Sequence, residues 1–337
     1  MFDESVSKKI HVPLVLSMFI GLLTILINFF YSVEDIRSEV YSSQSKELRA
    51  AYVNGLREKK VIALTNVINL SSNYSIIESL KSQDRNVAIA GLQTLSRKFK
   101  EQTIYKNIKV HLHDANLRSF LRTWDVEKYG EELAGFRKTL RDVKKNKKAI
   151  ATIELGRAGL LVRGIAPIEN DGVYLGSVEF MQGFNSIVKN LRKNREYETA
   201  FLMKEDYLSV ATALSSSPKI KEFVLAVKEK NVDKDFLNSL KGVEIEDTKN
   251  FQISDEYFLV SEPIKDFSNV IVGYALIGEK TSMVETVIAK AKSSLLKQVY
   301  IIFFIDIIIL IYLIIIVRKK IIRPIVDMEK MAQELSL

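Results

Sequence analysis

The sequence predicts an α+β protein in which two transmembrane helices flank an external domain made of a long stalk helix and two antiparallel sheets. Three observations lead to this fold class. Two long apolar segments lie near the ends of the 337-residue chain. Apolar residues recur at helical spacing after the first segment. Two groups of short segments with alternating apolar residues then follow, separated by glycine-containing turns.

The composition is that of a folded protein without thiol chemistry. Hydrophobic residues make up 47% and charged residues 27% of the chain, and cysteine is absent. The lack of cysteine excludes disulfide scaffolds, thiol nucleophiles and cysteine-based metal sites. Three histidines are too few for a histidine-rich metal centre. The GxSxG, P-loop, HExxH and GxGxxG motifs are also missing from the sequence. We therefore expect no enzyme, no catalytic residues and no cofactor.

The two apolar segments have the length of membrane spans. Residues 12–31 include no charge and would form about 30 Å of helix. Residues 299–317 contain Asp306 as their only charge. The first segment is longer than the roughly 7–15-residue core of a signal peptide, and no small-residue cleavage site follows it. Both helices are therefore expected to be retained. Because a carboxylate is costly in lipid, Asp306 is expected to face its mate in a homodimer.

Basic residues set the orientation of these spans. They flank the spans on the terminal sides: Lys8, Lys9, Arg318, Lys319, Lys320 and Arg323. Because positive residues stay in the cytoplasm, residues 1–11 and 318–337 are both expected there. Residues 32–298 then form an external domain with 42 basic and 35 acidic residues. This excess is compatible with an anionic ligand or with an ordinary solvated surface. Nucleic acid is not an expected partner outside a membrane.

The external domain divides into a stalk helix, two α/β units and a return helix. Residues 32–82 contain one glycine and no proline, which predicts a single long stalk helix with a kink near Gly55. The larger unit, 84–195, has predicted helices at 87–103, 126–148 and 184–194 and predicted strands at 108–113, 149–155, 159–168 and 173–181. The smaller unit, 196–281, has predicted strands at 199–204, 208–213, 251–263 and 270–277 and a predicted helix at 218–230. A return helix, 282–298, leads into the second span.

Three segments of the external domain resemble the double-Cache extracellular sensors of bacterial transmembrane receptors. They are SFLRTWDVEKYGEELAGFRKT (119–139), ELGRAGLLVRGIAPI (154–168) and YLGSVEF (174–180). The resemblance covers nearly the whole external domain. It implies two stacked PAS-like sheets on the stalk helix, placed in the periplasm of a bacterial inner-membrane receptor. It also implies a ligand in the membrane-distal unit and a homodimeric assembly.

The C-terminal tail resembles the first helix of a HAMP signal-relay module. An Arg-Pro-Ile tripeptide follows the second span, and apolar residues then take the spacing of a heptad seam at Ile325, Met328, Ala332 and Leu335. The resemblance implies that residues 318–337 begin a HAMP domain and that cytoplasmic signalling domains follow. We expect a receptor of the chemotaxis type. The sensor of a histidine kinase or diguanylate cyclase, and a non-signalling anchored binding protein, remain alternatives.

Two histidines occupy alternate positions of a predicted strand. His111 and His113 therefore point to one face of the sheet, and Asp114 follows them. This spacing is compatible with a ligand pocket, with buried side chains held by hydrogen bonds, or with a metal site. No third histidine is external, because His11 precedes the first span. We include both strand histidines in the candidate ligand site and expect no metal.

Arg122 and Trp124 provide the groups that a small carboxylate ligand needs. An arginine can hold a carboxylate by two parallel hydrogen bonds, and a tryptophan provides an apolar wall. The Arg-x-Trp pattern resembles part of the amino-acid-binding pattern of some double-Cache sensors, although Asp125 stands where that pattern has tyrosine. We therefore expect a carboxylate or another small anion as the ligand. A core position for Trp124 is the alternative.

Charged residues interrupt apolar strands of the larger unit. By the two-residue period of a strand, Arg163 shares a face with apolar neighbours and would need a partner. Glu154 and Glu179 on the adjacent strands are candidates, either in a pocket or in a surface ladder. Arg118, Tyr129 and Arg137 are weaker candidates for the site. The complete candidate ligand site is His111, His113, Arg122, Trp124, Tyr129, Arg137, Glu154, Arg163 and Glu179.

Overall fold

The computed structural model describes residues 2–102, 108–254 and 256–334. One compact unit is Ser45–Thr281, and the other joins the residues before Ser45 to those from Ser282 onward. The helices are α1 (Phe2–Ser71), α2 (Tyr74–Ser82), α3 (Arg85–Gln102), α4 (Lys138–Asn146), α5 (Asn185–Arg195), α6 (Lys234–Ser239), α7 (Thr281–Val317) and α8 (Arg323–Glu334). The strands are β1 (Lys109–Asp114), β2 (Ser119–Arg122), β3 (Ile150–Gly156), β4 (Gly159–Asn170), β5 (Val173–Gln182), β6 (Glu198–Lys204), β7 (Lys219–Ile220), β8 (Phe223–Leu225), β9 (Phe251–Ile253), β10 (Tyr257–Lys265) and β11 (Ile271–Lys280).

Within the part of the chain that the structure describes, two helices are long and apolar enough to cross a membrane. The most apolar window of the N-terminal helix has a mean hydropathy of 2.3, and that of the C-terminal helix has 3.1. Neither window is buried by protein. The expected spans, 12–31 and 299–317, lie within α1 and α7. A π-helical turn, Arg318–Ile322, separates α7 from α8. Leu335, the last position of the expected heptad seam, lies outside the described residues.

The first sheet has five antiparallel strands in the order β2-β1-β5-β4-β3. The C-terminal part of α1 packs on this sheet at a very short distance. A side chain at Gly164 of β4 would collide with the carbonyl group of Ala63, so only glycine fits this contact. Lys59 and Gln182 add two reciprocal hydrogen bonds of 3.1 Å between α1 and β5. These contacts fix α1 against β4 and β5.

The second sheet has six antiparallel strands in the order β7-β8-β6-β11-β10-β9. Its core contains stacked aromatic rings. Phe184, just before α5, stacks on Phe201 of β6 with a centroid distance of 4.4 Å, and Tyr52 of α1 lies 6.1 Å from the same ring. Two antiparallel sheets together with long N-terminal and C-terminal helices confirm the predicted α+β fold class.

The stalk expected at 32–82 is not one helix. The first helix ends at Ser71, and α2 begins after a short break. Asn73 explains the restart, because its side-chain oxygen accepts a hydrogen bond from the Ile76 amide at 3.3 Å and so caps α2. Apolar spacing continues through the break, and for this reason the sequence pattern alone did not reveal it. The expected end of the next helix, Thr103, lies outside the described residues.

The prediction of a helix at 126–148 was wrong for the first half of this range, because only α4 (Lys138–Asn146) is helical there. The residues before α4 pair with β2 instead. The amide of Ser119 donates to the Glu131 carbonyl at 2.9 Å, and the Gly130 amide donates to the Ser119 carbonyl at 2.7 Å. Gly130 turns the chain with a φ of +79°. This long-range pairing, which local periodicity does not report, makes the segment a wall beside the sheet.

Two elements expected in the smaller unit were also wrong. Residues 208–213 form short 3₁₀ turns rather than a strand. Residues 218–230 contain the small hairpin β7–β8 instead of a helix. Lys221 adopts a left-handed φ of 52° in the hairpin turn, and the Leu225 amide donates to the Pro218 carbonyl at 2.9 Å. The apolar side chains of this hairpin are buried at the sheet, and this tertiary burial outweighs the helix-start signal of the Ser-Ser-Ser-Pro sequence.

The helix α6, which the sequence did not predict, depends on an aspartate cap. The Asp233 carboxylate accepts hydrogen bonds from the Asp235 and Phe236 amides at 2.9 and 3.0 Å. Asp233→Ala should lower the free energy of unfolding by about 1 kcal/mol, as is typical for loss of an N-cap. Chemical denaturation of the 337-residue chain in detergent measures this change. Asp233→Asn keeps the cap acceptor and should be close to wild type; equal destabilisation by both substitutions would contradict a cap role.

Candidate functional site

A cavity of about 200 Å³ lies beside the first sheet. Strands β1, β2, β4 and β5, the turn between β3 and β4, and the segment 124–137 form its walls. Five of the residues proposed from the sequence line it: His111, Arg122, Trp124, Arg137 and Arg163. The cavity therefore brings together side chains that are spread over more than fifty positions of the chain.

The other proposed residues occupy different places. Glu179, His113 and Glu154 do not line the cavity; they are buried next to the groups that do. Tyr129 is not part of the cavity, because the turn at Gly130 leaves its ring 57% exposed. The Arg85 guanidinium covers that ring at 3.6 Å, so Tyr129 acts as a surface contact.

Glu179 is the most buried charge of the site. It lies on the central strand β5 with no exposed surface. Its Oε1 atom accepts a hydrogen bond from Arg137 Nη2 at 2.6 Å and another from Arg163 Nη1 at 2.8 Å. Burial by itself would raise the pKa of Glu179, but the two guanidinium groups hold it well below its usual range. Glu179 is therefore ionised at neutral pH.

A second carboxylate completes this ionic network. Arg137 Nε donates to Glu154 Oε2 at 2.7 Å, and the Thr139 hydroxyl donates to the same oxygen at 2.8 Å. Arg137 therefore bridges Glu154 and Glu179. The exposed fractions of Glu154, Arg163 and Glu179 are 8%, 4% and 0%, so the network is internal and not a surface ladder.

The two histidines lie against the same carboxylate. His111 Nε2 is 2.8 Å from the Ser119 hydroxyl, and His113 Nδ1 is 2.9 Å from the Ser177 hydroxyl. Their imidazole rings are 4.1 Å apart. Burial lowers the pKa of His111 to about 4 and holds the pKa of His113 well below its usual value. Both rings are therefore neutral at physiological pH, and each is fixed by one serine.

The cavity wall carries more positive than negative groups. Its cations are Lys109, Arg122, Lys128, Arg137, Arg157 and Arg163, and its anions are Asp125 and Glu131. Glu131 pairs with Arg122 at 2.5 Å and also with Arg157. Among the described residues, the ammonium groups of Lys109 and Lys128 form no ion pair with a carboxylate. The wall thus presents uncompensated positive charge.

Arg122 and Trp124 both line the cavity. Arg122 Nη1 donates to the Lys128 carbonyl at 2.7 Å, so this guanidinium is held in place by the segment 124–137. Trp124 is 42% exposed, which excludes the alternative of a core position. Its ring meets His111 edge-on at 5.8 Å and forms an apolar wall.

Several wall residues were not found from the sequence. Lys109, Lys128, Glu131, Arg157 and Met181 all line the cavity. Met181 carried a usable signal, because it lies two positions after Glu179 on the same strand face. Lys128 and Glu131 carried none, since their segment was predicted as a helix.

The buried histidines predict a loss of stability in mild acid. Between the pKa of free histidine, near 6.5, and the lowered pKa of His111, near 4, the unfolded chain binds a proton that the folded chain does not. Lowering the pH from 7 to 5 should therefore reduce the free energy of unfolding by roughly 2 kcal/mol for His111 alone. Denaturation of the chain in detergent with a chelator present measures this slope. His111→Gln should reduce this slope to the part that His113 contributes, and a stability of the wild-type chain that is constant over this range would contradict neutral burial.

The carboxylate network predicts an asymmetry between two similar substitutions on the first sheet. Glu179→Gln leaves the buried Arg163 with only the more distant Glu154 carboxylate, at 4.0 Å, as an anionic partner and should cost about 3–5 kcal/mol. Glu169→Gln on β4 removes only a surface pair with Lys147 and should cost less than about 1 kcal/mol. Denaturation midpoints of both variants give the comparison. Equal effects would show that the network does not support the sheet.

Solved sensor domains resemble this fold. The sensor domain of the Vibrio cholerae histidine kinase DctB is 13% identical to this chain, with a TM-score of 0.41. The alignment covers 74% of this chain and 99% of the DctB domain. The periplasmic domain of Vibrio cholerae LuxQ is 10% identical, with a TM-score of 0.43. The alignment covers 71% of this chain and 99% of the LuxQ domain. A third structure is the ligand-binding domain of the Pseudomonas fluorescens chemoreceptor CtaA in complex with L-serine. It is 12% identical, with a TM-score of 0.38, and the alignment covers 74% of this chain and 99% of the CtaA domain.

A family profile gives a more direct assignment. No curated protein matches the chain. The profile described as a double sensory domain of two-component sensor kinase matches residues 41–284. This match covers more than two thirds of the chain and contains both sheets and the cavity. It confirms the double-Cache resemblance found in the sequence, and the chain therefore belongs to the double-Cache family of extracellular sensor domains.

Proposed function

We propose that this chain is the sensing part of a bacterial inner-membrane receptor and binds a small carboxylate or another small anion in the cavity of the first sheet. The excess of positive charge on the cavity wall is the observation that carries this proposal. Lys109 and Lys128 add positive charge without an ion-pair partner in the part of the chain that the structure describes. An anion that enters can replace water around these groups and gain charge-assisted hydrogen bonds.

The buried network favours binding over catalysis as the role of this charge. The guanidinium groups of Arg137 and Arg163 are held by ion pairs with the buried Glu179, so their positions do not depend on a ligand. Arg122 is fixed by Glu131 and by a backbone carbonyl. Such preorganised donors reduce the entropy cost of holding a small anion. Neutral histidines and an apolar tryptophan wall complete a site of about 200 Å³, which suits a small solute.

Signal transmission requires the membrane helices. We propose that residues 1–11 and 318–337 are cytoplasmic, as the flanking basic residues favour. Ligand binding shifts the helix α7, and this shift reaches α8 as the beginning of a HAMP domain. The side chains of Ile325 and Met328 are 38% and 59% exposed on α8, which supports an unpaired seam completed by a second copy of the chain in a homodimer.

The output of the receptor has two candidates. A chemotaxis receptor is the proposal that the double-Cache and HAMP combination favours. The sensor of a histidine kinase is the second, supported by the family description as a sensory domain of two-component sensor kinases. Both share the same ligand site and the same membrane relay, so the proposal for the cavity does not depend on this choice. A diguanylate cyclase output is a variant of the second candidate.

A thermal-shift panel on the 337-residue chain in detergent tests the ligand class. Small carboxylates, amino acids, inorganic anions and amines are each added at increasing concentration. One anionic class should raise the melting temperature, because a ligand at 100 times its Kd stabilises the folded state by about 2.7 kcal/mol. Lys128→Gln and Trp124→Ala should abolish the shift.

Lys98→Gln is the matched control, because Lys98 is exposed on α3 and lies outside the cavity. It should keep the full shift. A shift with amines alone, or no shift with any member of the panel while the chain is folded, would contradict an anion site.

A further inference from the structure

Three potential metal ligands converge behind the cavity. The Oε2 atom of Glu179 lies 3.4 Å from His111 Nδ1 and 3.6 Å from His113 Nε2. All three atoms lie within 4.8 Å of one another, and all three residues are buried. The two arginines bind mainly the other oxygen of Glu179, Oε1, at 2.6 and 2.8 Å, and Arg137 Nη1 also donates a longer hydrogen bond of 3.5 Å to Oε2. One carboxylate oxygen therefore points at two imidazole nitrogens.

The distances suit a shared ion better than direct hydrogen bonds. An N–H···O hydrogen bond is about 2.7–3.2 Å long, which is shorter than both contacts. Two ligand atoms at about 2.05 Å from a tetrahedral zinc ion are about 3.3 Å apart. The contacts from Glu179 to His111 and His113 exceed this edge by only a few tenths of an ångström. The third edge, between His111 Nδ1 and His113 Nε2, lies within 4.8 Å, so the two imidazoles approach each other by up to about 1.5 Å when the site closes on an ion.

The unpartnered nitrogen of His113 is a second, independent observation. His113 Nε2 is buried and forms no hydrogen bond. Its other nitrogen is already held by Ser177. When Nδ1 donates to that serine, Nε2 carries a lone pair that faces a carboxylate, which is unfavourable unless a cation lies between them. In this tautomer, His113 Nε2 is therefore available as a metal ligand.

The serines provide the outer contacts that metal-binding histidines usually have. A ligating imidazole normally makes a hydrogen bond with its second nitrogen, which fixes the ring orientation. Ser119 serves His111 and Ser177 serves His113 in this way.

We propose that His111, His113 and Glu179 bind one divalent transition-metal ion, with zinc as the best fit to two nitrogens and one oxygen. Water or an anion from the cavity takes the remaining coordination position, since His111 is the ligand that also lines the cavity. The charges of Arg137 and Arg163 are balanced by Glu154 and Glu179, so the ion adds its full charge to the site. This proposal goes beyond anion sensing and is tested with the metal alone.

Sequence reasoning did not expect this site because the third ligand is remote. Asp114, the acidic residue next to the histidine pair, instead accepts hydrogen bonds from the Asn116 and Arg118 amides in a turn. Glu179 reaches the pair only because β5 lies beside β1, where it is in register with His111.

Cobalt titration of the chelator-treated 337-residue chain in detergent tests the proposal. Co²⁺ should give visible absorption bands with a stoichiometry of one ion per chain, and Zn²⁺ should displace it. Trp124, the only tryptophan, lies 5.8 Å from the His111 ring, so its emission should be quenched in parallel.

Two variants remove one ligand atom each and keep the serine contact. His113→Asn retains an atom near Nδ1, and His111→Gln retains an atom near Nε2. Each should weaken Co²⁺ binding by at least 100-fold. His11→Asn, which removes the one histidine outside the external domain, should bind as wild type does.

A further variant keeps the proposal falsifiable if a ligand variant fails to fold. Ser177→Ala leaves all three ligands in place and should weaken binding by about 10–100-fold. Absence of Co²⁺ bands in the wild-type chain, or unchanged binding in His113→Asn, would overturn the proposal. Either result leaves the thermal shift with anions unaffected, so failure of the metal site is distinguishable from failure of the anion site.

Discussion

The buried carboxylate of Glu179 is the constraint on which the rest of the site depends. An ionised group with no exposed surface needs compensating charge, and two arginines supply it. Those arginines reach Glu179 from β4 and from the end of the segment 124–137, so satisfying one charge fixes two walls of the cavity. The same carboxylate lies 3.4 and 3.6 Å from the histidine pair on β1, whose rings are held by Ser119 and Ser177.

The position of this group at the centre of the sheet explains how chemistry and fold are connected. β5 is paired on both sides, so its side chains have little freedom to move. Helix α1 is locked onto the same strands through Gly164 and Gln182. The part of the cavity wall that β4 and β5 form therefore consists of packed elements. Such a wall suits the proposed role, in which the binding of a small solute moves a helix.

The sequence predicted the features that depend on local pattern. Alternating residues located β4 and β5, and charges inside those strands pointed to Arg163 and Glu179. Sequence pattern alone could not predict contacts between segments that are remote in the chain. The pairing of Ser119 with Glu131 converted an expected helix into a cavity wall, which hid Lys128. Burial of the β7–β8 hairpin overrode a helix-start signal in the same way. Trp124 was left undecided because exposure depends on this tertiary arrangement.

The most direct test of the central claim uses the single tryptophan of the chain. Trp124 lies on the wall of the cavity, so in the absence of added metal its emission reports on the surroundings of that cavity. Titration of the 337-residue chain in detergent with the anion that stabilises it should give a saturable change in emission. The change should be lost in Lys128→Gln. Saturable stabilisation by an anion without any change in Trp124 emission would place the ligand elsewhere and contradict the account.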